Sequence, residues 1–147
     1  MYLSLQNRLY RDIPISKQMR IKVVKANTHQ VVVSVPLAPN VNHQATVFGG
    51  TLASALLLSG WCLAEVRLGE WGLKGHIVVM KTEIDYLRPV AADFLAVCTL
   101  DDETVWENFR KDLENRKKAR IWIEGSVSTE DGVAVKMKGL YAASLLS

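Results

Sequence analysis

The spacing of hydrophobic positions changes several times along the chain, and each change marks an element. Leu5, Leu9 and Ile13 recur at helical spacing in LSLQNRLYRDI, a run that stops before Pro14. Two valine-rich runs, RIKVVKAN and QVVVSVPL, bracket Asn27–His29 and read as a hairpin. PNVNHQATVFGGTLASALLLSGW is a polar loop that ends in Gly49–Gly50 and passes straight into an apolar stretch reaching Val66. GHIVVMKTEIDYLRP then alternates. Val78, Met80, Thr82, Ile84 and Tyr86 fall on one side, and Val79, Lys81, Glu83 and Asp85 on the other. That pattern predicts a long strand with one apolar face, ended by Pro89. DFLAVCTL reads as another strand.

The period returns to helical in TVWENFRKDLENRKK, where Trp106, Phe109 and Leu113 form one stripe and Thr104 with Glu107 makes a capping-box signature. ARIWIEGSVSTE and VAVKMKGLYAAS flank Asp131–Gly132, a hairpin signal. The predicted order is helix, two strands, long helix, then four strands with a helical insertion. Successive strands of this kind form an antiparallel sheet, and the apolar helix is too hydrophobic to lie in water, so the sheet must wrap it. The predicted class is therefore α+β, a curled sheet around one long central helix. On that helix Ala53, Gly60 and Ala64 line up beside Leu56 and Leu57, where small residues let another element approach.

Composition narrows the possibilities. The 147 residues predict a single domain spanning 1–147. A net charge of +3 lacks the basic stripe expected of a nucleic-acid binder. The charge is concentrated in RKDLENRKKAR (Arg110 to Arg120), a solvated face or a phosphate contact. Cys62 and Cys98 lie in apolar segments with no metal-ligand spacing, so neither a disulfide framework nor a metal site is expected. No secretory signal is recognisable, and a reduced, cytoplasmic setting is expected. Thr51–Val66 is shorter than the ~20 apolar residues a bilayer requires, and Ser54, Ser59 and Gly60 interrupt it. A buried helix is expected, not a membrane span.

The arrangement resembles the hotdog fold. Asn42…Phe48-Gly49-Gly50 is similar to the Asn…His-Gly-Gly loop of hotdog acyl-thioesterases, and IDYLRPV is similar to a strand end common in that superfamily. IPIS…PLAPNVNHQATVFGG…GWCLA…YLRPV resembles more narrowly the thioesterase-like hotdog family sometimes fused behind a GNAT-type acetyltransferase. The resemblance implies binding of an acyl thioester on coenzyme A or an acyl carrier protein, its hydrolysis by water, no cofactor, and a homo-oligomer, dimer or tetramer, with edge-paired sheets. It implies that a backbone N–H near Gly50 polarises the carbonyl, with Phe48, Gly49 and Thr51 around the acyl group. Orphan N–H groups and the positive end of a helix suit a developing oxyanion independently of any family. Asn42 matches the loop asparagine, with loop-ordering and water-holding roles both open; Asn40 has the weaker claim.

The chain departs from that pattern at two places. Phe48 stands where many relatives carry histidine, and Leu57 where related enzymes often carry a carboxylate that acts as nucleophile or base. Ser54, one turn into the helix, is a candidate to hold the attacking water or is merely bonded to the backbone. Among alternative acid–base groups, His43 lies in the right loop. Asp85 and Glu83 face away from the apolar side by alternation. Glu65 lies roughly 22 Å along the helix from Gly50. Arg88 is the candidate phosphate contact, ahead of the run from Lys111 to Arg120. Two functions remain: an acyl-thioester hydrolase, or a non-catalytic acyl-CoA or lipid-binding module, favoured by the missing helix carboxylate. A hotdog dehydratase needs a His and an acidic helix residue that do not pair here.

Overall fold

A computed structural model describes residues 2–146. Helix α1 (Tyr2–Asp12) and a single turn α2 (Ile15–Gln18) lead into strands β1 (Lys22–Ala26) and β2 (Gln30–Val35). A 3-10 turn (Ala38–Asn40) precedes the long helix α3 (Gly49–Glu70). Strands β3 (Gly75–Tyr86) and β4 (Phe94–Thr99), helix α4 (Glu103–Arg116), and strands β5 (Lys118–Thr129) and β6 (Gly132–Leu145) complete the chain. The six strands form one antiparallel sheet in the order β1-β2-β4-β5-β6-β3. This is the hotdog arrangement: the sheet curls over α3, whose Leu52, Ala55, Leu56, Cys62, Leu63 and Leu68 are buried against Val31, Val33, Ala96, Ile123 and Tyr141 in one core.

The helix is longer than its sequence suggested. It runs 22 residues to Glu70, long and apolar enough by that measure to cross a bilayer. Most of it lies under the sheet instead, as expected of a core helix. The small-residue stripe has a definite partner. A Cβ on Gly60 would overlap the Tyr141 hydroxyl, which donates to the Leu57 carbonyl at 2.7 Å. Glycine is required there by close approach, not by an unusual φ.

Three expectations are corrected. The strand β3 does not alternate as a single run: its register with β6 shifts between Val79 and Lys81. A bulge adds one residue and inverts the facing of everything before it. Ile77 and Val79 therefore share one row with Thr82, Ile84 and Tyr86; Ile77 is buried there, while Val78, Val79 and Met80 are exposed in the single chain. Second, β3 pairs with β6 and not with β4, its successor, so the two lie on different sides of the sheet. Third, the cap of α4 is Asp102, whose carboxylate accepts from the Thr104 N–H at 2.9 Å, one of the usual solutions for a helix start. The β5–β6 turn is as expected, with Gly132 at φ 113°.

Candidate functional site at the start of the central helix

The polar loop before α3 is held by two asparagines with different tasks. Asn40 is buried. Its Nδ2 donates to the Met19 and Pro36 carbonyls, both at 2.9 Å, and its Oδ1 accepts from Thr51 Oγ1 at 3.2 Å. Its own carbonyl accepts from the Phe48 N–H at 2.8 Å. Asn40 therefore ties the loop, the chain before it and the first turn of α3 together. Asn42 is half-buried and closes the loop on itself. Its Oδ1 accepts from the Gln44 N–H at 2.8 Å and the Thr46 N–H at 3.2 Å, and its Nδ2 donates to Thr46 Oγ1 at 2.9 Å. The loop-ordering role expected of one asparagine is thus shared, with Asn40 at the more buried point. Thr51, a candidate for substrate contact, is buried with its hydroxyl given to Asn40.

The helix start is uncapped by side chains. Phe48 occupies the N-cap and has no oxygen to offer. The Thr51 and Leu52 N–H groups turn back to the Phe48 carbonyl at 2.9 and 3.2 Å. Among the described residues, neither the Gly49 nor the Gly50 N–H has an intramolecular acceptor. Two donors and the positive end of a 22-residue helix are left facing outward. Two aromatic side chains flank them. The ring of Phe48, itself exposed, lies over Gly50 in the space a Cβ would fill. The Tyr86 ring lies beside Gly49, where an added Cβ would meet it at 3.6 Å, and its hydroxyl donates to the Gly49 carbonyl at 3.0 Å.

Along α3, the partly exposed Gly50, Ser54, Leu57 and Glu65 and the buried Trp61 fall on one face at steps of three and four residues. From Leu57 onward this face lines a groove of about 610 Å³ against Ile77 and Val79 of β3. Ser54 Oγ donates to the Gly50 carbonyl at 2.8 Å, one turn back, which leaves its lone pairs to accept. Leu57 is part of the apolar wall. Glu65, at the far end, is paired with Arg8 of α1.

The remaining candidates are dispersed. His43 is exposed at the loop tip. Asp85 and Glu83 lie opposite Lys136 and Lys138 on the outer face of the sheet, away from α3. Arg88 follows Tyr86 by two residues; its Nε donates to the Val133 carbonyl at 3.2 Å, and the side chain is exposed. The basic run spans the last turns of α4 and the beginning of β5, where Arg120 lies in the strand row of Val78. Within one chain that row is roughly 26 Å along β3 from Tyr86, so Arg88 is the cation nearer the helix start in the strand ladder. Burial pushes both cysteine thiols up to about 12, which keeps them protonated and inert.

Reading the sequence alone missed Tyr86 as a polar group and treated it only as part of an apolar face. Its place in YLRP, inward with Thr82 and Ile84, was the available signal. Also missed was Arg67, buried near the end of α3. Its Nε donates to the Thr28 carbonyl at 2.5 Å and its Nη2 to Glu103 Oε1 at 2.7 Å, which holds the Glu103 carboxyl below its ordinary range.

Solved structures with this architecture are numerous. A protein of unknown function from Chlorobaculum tepidum is 27% identical with a TM-score of 0.92, covering 97% of this chain and 93% of that one. A protein described as a "putative thioesterase" from Shewanella oneidensis is 25% identical with a TM-score of 0.87, covering 97% and 96%. A probable thioesterase from Pseudomonas aeruginosa, 19% identical with a TM-score of 0.82 and covering 98% and 95%, adds agreement of fold. Residues 2–145 match the family described as "Putative thioesterase (yiiD_Cterm)", and the chain belongs to that family.

Proposed function

We propose that this protein hydrolyses acyl thioesters carried on coenzyme A or an acyl carrier protein. The observation that carries this reading is the pair of unpartnered N–H groups at Gly49 and Gly50, set between Phe48 and Tyr86 at the head of an apolar helix face. The thioester carbonyl oxygen accepts from these donors, with Gly50 as the principal one, and the acyl chain follows the helix face past Leu57 and Trp61. Water attacks the carbonyl carbon, and the oxyanion is stabilised by the N–H groups and the helix dipole. The C–S bond then breaks, and the thiol leaves with a proton as the acid is released. Ser54 Oγ, already donating to Gly50, accepts a hydrogen bond from the attacking water and so orients it, while the water's proton passes to the departing thiolate. Arg88 lies on the carrier side, where its charge suits a phosphate.

A second reading is favoured by a specific observation. Phe48 and Leu57 supply no proton-transfer group, and Glu65 is committed to Arg8 at the other end of the helix. With no base, the same surface would bind an acyl thioester without cleaving it. Thioester turnover across acyl-CoA chain lengths, followed by free thiol, separates the two. The expected result is thiol release by the native protein, reduced about tenfold (~1.4 kcal/mol) in Asn42→Ala and in Ser54→Ala. Binding of every chain length with no thiol released leaves only the carrier.

The sheet edges point to a second copy of the chain. The β1 edge is short and carries Lys22 and Lys25 around a bulge, features that discourage edge pairing. The β3 edge is 12 residues long with Val78, Val79 and Met80 exposed in succession. A homodimer paired through β3 is expected, with the groove beside α3 adjoining the partner. Sedimentation at micromolar concentration checks this, and a monodisperse monomer rules it out.

A further inference from the structure

We propose that Tyr86 is a positioning residue for the reaction, acting through the Gly49–Gly50 peptide. This rests on the hydrolytic reading above and extends it. The Gly49 carbonyl and the Gly50 N–H are opposite ends of one planar unit, so whatever fixes the carbonyl fixes the direction of the N–H. That unit needs fixing. Two consecutive glycines have more backbone freedom than any other pair, and Phe48 contributes no capping oxygen to the turn. The Tyr86 hydroxyl donates to the Gly49 carbonyl at 3.0 Å, and its ring lies where a Cβ on Gly49 would meet it at 3.6 Å.

The tyrosine is itself well anchored. It is the last residue of β3, opposite Val135 of β6, and the next two N–H groups, of Leu87 and Arg88, both donate to the Ala134 carbonyl at 2.7 and 3.2 Å. A hydrogen-bonded strand end thus reaches across to a helix start built of two glycines. The bond does more than aim the peptide. Donation to an amide carbonyl polarises the whole unit and makes its N–H a stronger donor, by on the order of 10–30% for each added bond. The effect falls on Gly50, the donor that meets charge only as the transition state forms. Tyr86 is 53% exposed, so its hydroxyl adds little to the stability of the fold.

Tyr86→Phe removes only the oxygen and tests this directly. The expected result is a fall in kcat of about tenfold with KM and Tm unchanged. In a proton–nitrogen amide spectrum, the Gly50 resonance moves upfield while those of the sheet core stay in place. Native turnover with an undiminished kcat in Tyr86→Phe, or a loss confined to KM or Tm, overturns the proposal. An unmoved Gly50 amide overturns it too, whether or not the native protein cleaves a thioester. Absence of turnover in the native protein, with the amide still shifting on substitution, places the failure in the hydrolytic reading and not in the Tyr86–Gly50 coupling.

Discussion

Trp106→Ala is expected to lower stability by about 3–5 kcal/mol, a large part of the roughly 5–15 kcal/mol a domain possesses. Trp106 is fully buried although it belongs to the helix inserted between strands. Its Nε1 donates to the Leu100 carbonyl at 2.9 Å, and its ring meets Trp71 at 6.1 Å and Phe109 at 6.0 Å, both edge-on. The Arg67 guanidinium lies over it at 4.5 Å, while also holding the Thr28 carbonyl and Glu103. Alanine would open a cavity, orphan a carbonyl and strip one face from a buried cation. Urea unfolding measures it: the midpoint falls with the slope unchanged. A loss below about 1 kcal/mol, the scale of an ordinary surface change, would mean that α4 is an appendage. The contacts place it instead in the core, closing the C-terminal end of α3.

The second large effect is on catalysis. Gly50→Ala is expected to lower kcat/KM by about 10²-fold or more, the scale of losing an oxyanion donor, while Tm stays level or rises slightly. The added methyl overlaps the Phe48 ring and drives it from its seat, and together they crowd the two free N–H groups. The fold tolerates this because Phe48 is 56% exposed and is free to swing outward. Opposite signs in activity and stability are the signature to look for. Turnover at the native level in Gly50→Ala would remove this helix start from the chemistry.

Much of the architecture was legible because it rests on local periodicity. The order of elements, the apolar helix and the Asp131–Gly132 turn each follow from neighbouring residues. The pairing of β3 with β6 does not, since closure of a sheet is decided by contacts far apart in sequence. The inverted facing of Val78 and Val79 was hidden for a related reason: a bulge depends on the partner strand, and GHIVVMKTEIDY reads equally well without one. At the site, the glycines and the uncapped start were visible. The division of labour between Asn40 and Asn42 was not, because it depends on which asparagine the Met19 and Pro36 carbonyls can reach. Arg67 was similarly opaque: a lone cation late in an apolar helix has meaning only once Glu103 and Thr28 are brought to it.

Gly60 and Tyr141 work as a detent. A one-turn slide of α3 would bring Leu56 or Ala64 opposite the phenol, and each carries the Cβ that the recess excludes. The helix therefore has a single axial setting against the sheet. Tyr141 lies opposite Val79 in the same strand pair that places Tyr86 opposite Val135. The ladder that latches the middle of the helix is thus the one that carries Tyr86, and the reach from its hydroxyl to Gly49 is gauged three turns away, at a residue with no side chain.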